Sequence, residues 1–327
     1  MPRSGTSSIA QFLDHLGVYF GDPARFVDAT KFKHNPIFYE LQWVNEFNDR
    51  VVKTLNRFKL DDDFLPLEDD FRRPQAAELG ESLRKKLLDE FGDRPVVGAK
   101  DPRICFTFPL WRAVLTEMGY AIKTVLAVRS ASAILKSTLA ITGPRLHRWR
   151  RSFASRLLMI HYFARDVSVC QFDYDLFMRE PLSYGQAKAA ELGLAMSDPA
   201  RATRHLSNAH YHHQPDDAGT GDPWLDEIDR DLRAGRLDSN EYLRFRGAAS
   251  LFIEELEPLE INERRRSERE KAGGPASSSG ASGRGADPTA ERWFQEHQQL
   301  RALLQKGGRF KVKPQPDGTI DIRRISK

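Results

Sequence analysis

Short apolar runs alternate with stretches of helical periodicity through the first two thirds of this chain. Three such runs, Pro95–Ala99, Lys123–Val128 and Val167–Phe172, are bounded by turn or charged residues, as buried parallel strands are. Each is followed by a segment in which apolar residues recur every three or four positions. Because strands that alternate with helices form parallel sheets with right-handed crossovers, the sequence predicts an α/β domain with a central parallel sheet.

The predicted helices have recognisable ends. Gly17, Gly92 and Gly193 each follow the last apolar position of a periodic segment, and glycine is favoured there because it adopts the left-handed conformation at low cost. Ser183 with Gln186 three positions later matches a capping box, which predicts a helix start. The predicted helices cover 7–16, pieces of 38–60, 74–91, 109–118, a segment from 132, 147–164 and a segment from 183 to 192.

Charge and cysteine content narrow the function classes. The 327 residues contain 50 Lys and Arg against 46 Asp and Glu, so the net charge of +4 favours neither nucleic acid nor a membrane surface as partner. Cys105 and Cys170 lie in apolar segments without metal-ligand spacing, which indicates buried thiols in a reducing compartment. The chain has no apolar run of membrane-spanning length and no signal-peptide pattern, so we expect a cytoplasmic protein.

The composition changes after residue 258. A charge run at Arg264–Lys271 leads into a Gly, Ser and Ala tract at Gly273–Gly285, which cannot bury enough apolar surface to fold. We therefore expect a main domain over 1–258 and a flexible linker over 259–288.

The last segment, 289–327, has a pattern of its own. Apolar residues at helical spacing predict a helix over Thr289–Gln305, and Arg309–Val312 with Thr319–Ile322 flank a Pro-Asp-Gly turn that predicts a hairpin. A small helix and hairpin beyond a linker is a candidate docking module for a protein partner.

A loop of small, polar and cationic residues opens the chain and leads into the first predicted helix. A glycine-containing turn before a helix directs backbone N–H groups and the positive end of the helix dipole at one spot, which suits an anion. One arginine and three hydroxyl groups add charge and donors. The predicted phosphate-binding residues are Arg3, Ser4, Gly5, Thr6 and Ser7.

A loop of this kind normally follows a buried strand. Only Met1 stands before Pro2 in this sequence. We therefore expect either a start codon further upstream or a chain whose sheet lacks its first strand and whose activity is impaired.

Cationic residues stand at three predicted strand-to-helix junctions. Arg3 lies in the opening loop, Lys100 follows the strand Pro95–Ala99, and Arg129 follows the strand Lys123–Val128. Because ligands bind at the carboxyl ends of parallel strands, we expect these three residues to converge. Their mutual repulsion would be relieved by an anion of several charges, such as a nucleotide.

Two of these segments carry a family resemblance. PRSGTSSIAQFLDHLG, residues 2–17, resembles the 5′-phosphosulfate loop and first helix of sulfotransferases that use 3′-phosphoadenosine-5′-phosphosulfate (PAPS). AVRSASAILKSTL, residues 127–139, resembles the 3′-phosphate motif of the same enzymes, in which an arginine ends a strand and a serine follows eight positions later. Arg129 and Ser137 match that spacing and those residue types.

Two further segments resemble particular branches of this family. AKDPR, residues 99–103, is similar to the Lys-Asp-Pro segment of tyrosylprotein and bacterial carbohydrate sulfotransferases. Asn35 and Pro36 with Tyr39 and Glu40 look like a stretch of the bacterial group, although Phe38 stands where that group often has glycine.

The resemblance covers roughly residues 1–210 and implies a P-loop-like three-layer fold. It also implies transfer of a sulfuryl group from PAPS to a hydroxyl, with a carbohydrate as the acceptor. Since the loop lacks the Gly-Lys-Ser/Thr ending that serves a triphosphate and Mg²⁺, we expect no metal requirement.

The family pattern also implies roles for single residues. Arg3 and Lys100 would stabilise the charge that develops on the leaving nucleotide, and Arg129 with Ser137 would bind its 3′-phosphate. Glu40 is the leading candidate for the base that takes the acceptor proton. The alternatives are that Glu40 only orients the substrate or a nearby cation, or that His34 is the base.

Other functions fit parts of the sequence. A P-loop nucleotide or nucleoside kinase would also use an anion loop, but the missing Gly-Lys-Ser/Thr and the spacing of Arg129 and Ser137 disfavour it. A catalytically impaired nucleotide-binding assembly protein is the third hypothesis. The family pattern implies that the region of Arg204 and His205 lies over the nucleotide, which one of these two residues would touch. Four histidines there suggest a metal cluster, but they lack cysteine or carboxylate spacing and are predicted to be a polar loop. They are His205, His210, His212 and His213.

Overall fold

The computed structural model describes most of the first 245 residues and two strands near the C-terminus. The chain divides into two compact units, 1–239 and 240–327. The described residues are 3–28, 38–56, 65–142, 146–206, 219–238, 240–243, 245, 309–314 and 320–325.

The first unit is rich in helices. Two short 3₁₀ turns, Pro23–Arg25 and Glu68–Arg72, flank its second helix along the chain. The α-helices and strands are α1 Thr6–His15, α2 Gln42–Leu55, α3 Pro74–Phe91, α4 Ile104–Glu117, β1 Lys123–Val128, α5 Ala131–Thr142, α6 Leu146–Phe163, β2 Ser168–Asp173, α7 Tyr174–Arg179, α8 Pro181–Leu192, α9 Pro199–Thr203 and α10 Pro223–Arg233.

Strands β1 and β2 form a small parallel sheet. Their register pairs Lys123 with Ser168 at one end and Val128 with Asp173 at the other. Both strands therefore end at the same edge, where the chain continues into Arg129. The predicted α/β class is confirmed, with a two-stranded parallel sheet among the described residues.

The strand predicted at Pro95–Ala99 is wrong. Val97 makes one isolated parallel bridge to Tyr19, and the side chain of Val96 is exposed. The Tyr19 amide donates to the Val96 carbonyl at 3.1 Å, and the Gly98 amide donates to the Tyr19 carbonyl at 2.9 Å. An apolar run of this length does not distinguish a strand from another extended segment. Here Pro95 has no N–H to donate, and among the described residues the run pairs only with the short segment at Tyr19, so no strand forms.

An aromatic cluster holds α1 against the sheet. The ring of Phe12 lies 5.1 Å from that of Phe177 and 5.9 Å from that of Phe172, measured between centroids. Phe172 and Phe177 are 4.9 Å apart, and all three side chains are fully buried. Edge-to-face pairs of this kind stabilise a core beyond the area they bury. They fix the start of α1 near the carboxyl ends of β1 and β2.

A second core lies among α2, α3 and α4. Trp43 stacks on Trp111 with ring centroids 6.2 Å apart. Asn48 is fully buried, and its Oδ1 accepts hydrogen bonds from Thr107 Oγ1 at 2.7 Å and from Trp111 Nε1 at 2.9 Å. These contacts fix α4 against α2, so that the segment before α4, which contains Lys100, has a firm support.

Two predicted helix starts are wrong. Helix α8 begins at Pro181 with Glu180 as its N-cap, so Ser183 lies inside the first turn and forms no capping box. Proline suits the first helical position because its missing N–H would be unpaired there. Helix α4 begins at Ile104 and has Pro109 in its interior. The predicted helix ends at Gly92 and Gly193 are confirmed.

Both cysteines are free and buried, as predicted. Burial raises the pKa of Cys105, and it raises the pKa of Cys170 to about 12. Neither thiol is activated as a nucleophile, because the reactive form is the thiolate.

The second unit contains the predicted hairpin. Strands β3 Arg309–Pro314 and β4 Ile320–Ile325 pair antiparallel, so each extends beyond its predicted segment. The predicted linker over 259–288 and the helix over 289–305 lie outside the described residues. Within the described part of the chain, no helix is long and apolar enough to cross a membrane.

Candidate functional site

The opening loop turns sharply at the start of α1. Arg3 and Gly5 both have left-handed backbone, with φ of 66° and 81°, and they flank the fully buried Ser4. Gly5 is the N-cap of α1, whose first residue is Thr6. Gly5 has no side chain that could cap this helix start. The backbone N–H groups of a helix N-terminus suit a bound anion.

Arg3 brings the loop to the segment after β1. Its Nε donates to Ser137 Oγ at 2.9 Å, and Arg129 Nη1 donates to the carbonyl of Arg3 at 2.9 Å. The predicted 5′ and 3′ motifs therefore meet, although more than 120 residues separate them in sequence.

The guanidinium of Arg3 differs from the other charged groups of this loop in its partners. No carboxylate in the described ranges forms an ion pair with Arg3. Burial, and to a smaller extent the neighbouring charge of Arg129, lower the pKa of Arg3. An anion bound beside the loop would relieve both effects, because it would compensate the lost solvation and the repulsion.

Arg129 is buried and has partners on two sides. Its side chain is 7% exposed, and its Nε lies 3.6 Å from Asp175 Oδ1. Its guanidinium lies 5.3 Å from the centroid of the Tyr174 ring. Asp175 also accepts the Ser130 amide at 2.8 Å. Arg129 is therefore fixed in place by the residues that follow β2.

Lys100 connects the start of α1 to the segment before α2. Its Nζ donates to Glu40 Oε1 at 2.6 Å, to the Phe38 carbonyl at 2.8 Å and to Ser7 Oγ at 3.3 Å. Asn45 Nδ2 donates to the other oxygen of Glu40 at 3.4 Å. The structure thus places the predicted base, the predicted lysine and a loop serine in one group.

The backbone next to Glu40 is strained. Tyr39 has φ of 53°, a left-handed value that is uncommon for a residue with a side chain. Its ring packs against Phe20 and Phe26, with centroids 6.0 and 5.3 Å away. Burial raises the pKa of Tyr39 to about 12, so the phenol stays protonated at neutral pH. This packing holds Glu40 on the side of the chain that faces Lys100.

The predicted mutual repulsion of three cations needs a correction. Lys100 is paired with Glu40, and Arg129 is paired with Asp175, so only Arg3 lacks a carboxylate partner among the described residues. The sequence could not show these pairs, since their members are 60 and 46 residues apart. The site is therefore less positive than its three cations suggest.

An acidic group that was not predicted from the sequence lies behind Arg129. Arg233, in α10, contacts Asp173 at 2.6 Å, Asp175 at 3.2 Å and Asp229 at 3.4 Å. Asp229 Oδ2 accepts the Ala131 amide at 3.3 Å, and burial raises the pKa of Asp229. Two signals could have found this group: the acidic residues directly after β2, and the i,i+4 spacing of Asp229 and Arg233.

His205 lies against α1. Its Nε2 donates to the Ser8 carbonyl at 2.9 Å, and its ring lies 5.5 Å from that of His15. Burial lowers the pKa of His205 to about 4, so the ring is neutral at physiological pH. Within the described ranges, no group of three or more His, Cys, Asp or Glu side chains could hold a metal ion. The other candidate histidines, His34, His210, His212 and His213, lie outside the described residues.

The site residues thus form two neighbouring groups on the opening loop. One contains Arg3, Arg129 and Ser137, and the other contains Lys100 and Glu40. Comparisons of the chain with protein-family models, with curated proteins and with solved structures find no match.

Proposed function

We propose that this chain is a sulfotransferase that moves a sulfuryl group from PAPS to a hydroxyl acceptor, with a carbohydrate as the acceptor class. The observation that carries the proposal is the junction of the opening loop with Arg129 and Ser137. Arg3 donates to Ser137 and accepts from Arg129, which brings two predicted anion-binding segments together. A ligand with two anionic ends needs such a pair of adjacent segments.

The residues present fit this nucleotide. The left-handed loop and the start of α1 suit its 5′ group, and the positive charge of Arg3, which has no carboxylate partner in the described part of the chain, adds attraction there. Arg129 and Ser137 suit the 3′-phosphate. Arg129 directly follows β1, at the carboxyl edge of the two parallel strands, where open α/β sheets bind ligands, and its hydrogen bond to the Arg3 carbonyl brings the loop to that edge. We extend the proposal to the fold and assign the first unit to the P-loop-like three-layer class.

Lys100 and Glu40 have different roles in the proposed reaction. As the bond between sulfur and the leaving phosphate oxygen breaks, negative charge grows on that oxygen, and Lys100 with Arg3 stabilises it. Glu40 takes the proton of the acceptor hydroxyl as the oxygen bonds to sulfur. Lys100 Nζ lies 2.6 Å from Glu40 Oε1, so the residue proposed to stabilise the leaving group and the proposed base are next to each other.

Calorimetric titration with 3′-phosphoadenosine-5′-phosphate tests the nucleotide site. We expect micromolar binding by the full chain, loss of binding in Arg129→Ala, and about tenfold weaker binding in Ser137→Ala, because a charge-assisted contact and a neutral hydroxyl contribute unequally. Arg84→Ala is the matched control, since Arg84 lies outside the site and pairs with two exposed carboxylates, those of Glu81 and Glu117. Absence of binding, or a preference for ATP with Mg²⁺, would contradict the proposal and favour the kinase hypothesis.

Turnover by Glu40→Gln tests the proposed base. We expect sulfate transfer to fall by about two to four orders of magnitude while nucleotide affinity changes little, because the amide cannot take a proton. Glu46→Gln is the control, since Glu46 is an exposed residue of α2 that accepts from Gln42. Unchanged turnover would remove Glu40 as the base. Tight nucleotide binding by the wild type without any transfer would favour the assembly-protein hypothesis.

A further inference from the structure

Tyr174 lies beneath both halves of the proposed site. It is the first residue of α7, directly after β2, and it is buried. A Cβ built on Gly5 would overlap the Tyr174 ring, so the backbone of the loop rests directly on the ring. The guanidinium of Arg129 lies 5.3 Å from the centroid of the same ring.

The backbone around Tyr174 is firmly held. The carboxylate of Asp173 accepts the Leu176 amide at 2.9 Å and caps α7. The Asp173 amide donates to Tyr184 Oη at 2.7 Å. On the other side, Asp175 accepts the Ser130 amide at 2.8 Å. Because the residues on both sides of Tyr174 are held by hydrogen bonds, its ring has little freedom to move toward or away from the loop.

We propose that Tyr174 is a positioning residue that sets the distance between the opening loop and Arg129, and that this distance selects ligands with two phosphate groups. The inference rests on the proposed function, and it assigns a role to a residue outside the recognised motifs. The ring works as a spacer: the loop rests on it at Gly5, and the guanidinium of Arg129 lies against it.

The physical reason is preorganisation. A ligand with two anionic ends gains affinity when the second end binds without further loss of freedom, and that gain depends on the spacing of the two subsites. A ligand with one phosphate uses one subsite and does not depend on the spacing. Loosening the spacer should therefore lower the affinity for a bisphosphate more than the affinity for a monophosphate.

Titration of the full chain with three nucleotides tests this selectivity. They are 3′-phosphoadenosine-5′-phosphate, adenosine 5′-phosphate and adenosine 3′-phosphate. In Tyr174→Leu we expect the affinity for the bisphosphate to fall about tenfold or more, while the affinity for each monophosphate changes less than about threefold. In Tyr174→Phe, which keeps the ring, we expect the preference for the bisphosphate to persist.

The outcomes separate the two proposals. If the wild type binds no bisphosphate, the proposed function and the spacer both fail. If the wild type binds it and Tyr174→Leu binds it equally well, only the spacer fails. An equal loss for all three nucleotides would also overturn the spacer, because it would indicate local unfolding. If Tyr174→Leu does not fold, Tyr174→Phe and Tyr174→His decide. Tyr174→Phe keeps the six-membered ring and should keep the bisphosphate preference, while Tyr174→His has a smaller ring under the loop and should reduce it. An unchanged preference in Tyr174→His would overturn the spacer.

Discussion

At the scale of single residues, Gly5 meets two independent requirements. Its φ of 81° lies in the left-handed region, which side chains disfavour, and the space where a Cβ would lie is filled by the Tyr174 ring. Gly17 meets only the first requirement, because its φ is 93° and nothing lies within 4 Å of a Cβ built there. A comparison of Gly5 with Gly17 therefore separates the cost of left-handed backbone from the cost of steric overlap with the Tyr174 ring.

Alanine substitutions at these two glycines should have unequal costs. We expect Gly17→Ala to lower the free energy of unfolding by about 1–2 kcal/mol, which is the cost of a left-handed side-chain residue. Gly5→Ala should cost about 1–3 kcal/mol more, because the loop or the ring has to move. Urea unfolding of both variants measures the difference. Equal losses would show that the ring yields to the new methyl group.

Partly buried polar contacts join elements that are distant in sequence. Helix α10 is tied to the end of β2 by the ion pairs of Arg233 with Asp173 and Asp175, and its Asp229 accepts the first amide of α5. Carboxylates are favourable at a helix N-terminus because they interact with its dipole and its unpaired N–H groups. Helix α10 thus supports the start of α5, the helix that contains Ser137.

The contact between His205 and α1 should make stability depend on pH. Burial lowers the pKa of His205 to about 4 from its ordinary 6.5, so the unfolded chain takes up a proton below pH 6.5 that the folded chain resists. The stability that the neutral ring provides is therefore complete above about pH 6.5, and it is lost as the pH falls toward about 4.

The His205→Gln variant isolates this contribution. We expect the wild type to be the more stable protein at about pH 8, where the ring is neutral in both the folded and the unfolded state. The difference in unfolding free energy should shrink as the pH falls from about 6.5 to 4.5, because the variant has no proton to take up at this position. Urea titrations at several pH values measure it. A difference that stays constant with pH would contradict the expected titration.

At the scale of the whole molecule, the site belongs to one unit. Arg3, Glu40, Lys100, Arg129 and Ser137 all lie within the compact unit 1–239. A unit with its own core is expected to fold without the rest of the chain.

A fragment of residues 1–239 tests the independence of the first unit. We expect its urea midpoint and its affinity for 3′-phosphoadenosine-5′-phosphate to match those of the full chain within about twofold, because every site residue is retained. A loss of tenfold or more would contradict the independence of the first unit.

The sequence by itself determined the local elements and the positions of the chemically important residues. Helices α1, α3 and α6 and strands β1 and β2 fall within a residue or two of their predicted ranges, because periodicity and end signals are local properties. Local patterns predicted a strand at Pro95–Ala99 that does not form, because pairing with a neighbour decides whether an extended segment becomes a strand.

Only the tertiary structure decided the partners of the site residues. It paired Lys100 with Glu40 and Arg129 with Asp175, and it placed Tyr174 under Gly5. These pairs join segments 46 to 169 residues apart, and no local pattern encodes such contacts. Residue types and spacing indicated where an anion would bind, while packing determined which charges were already balanced and what supports the loop.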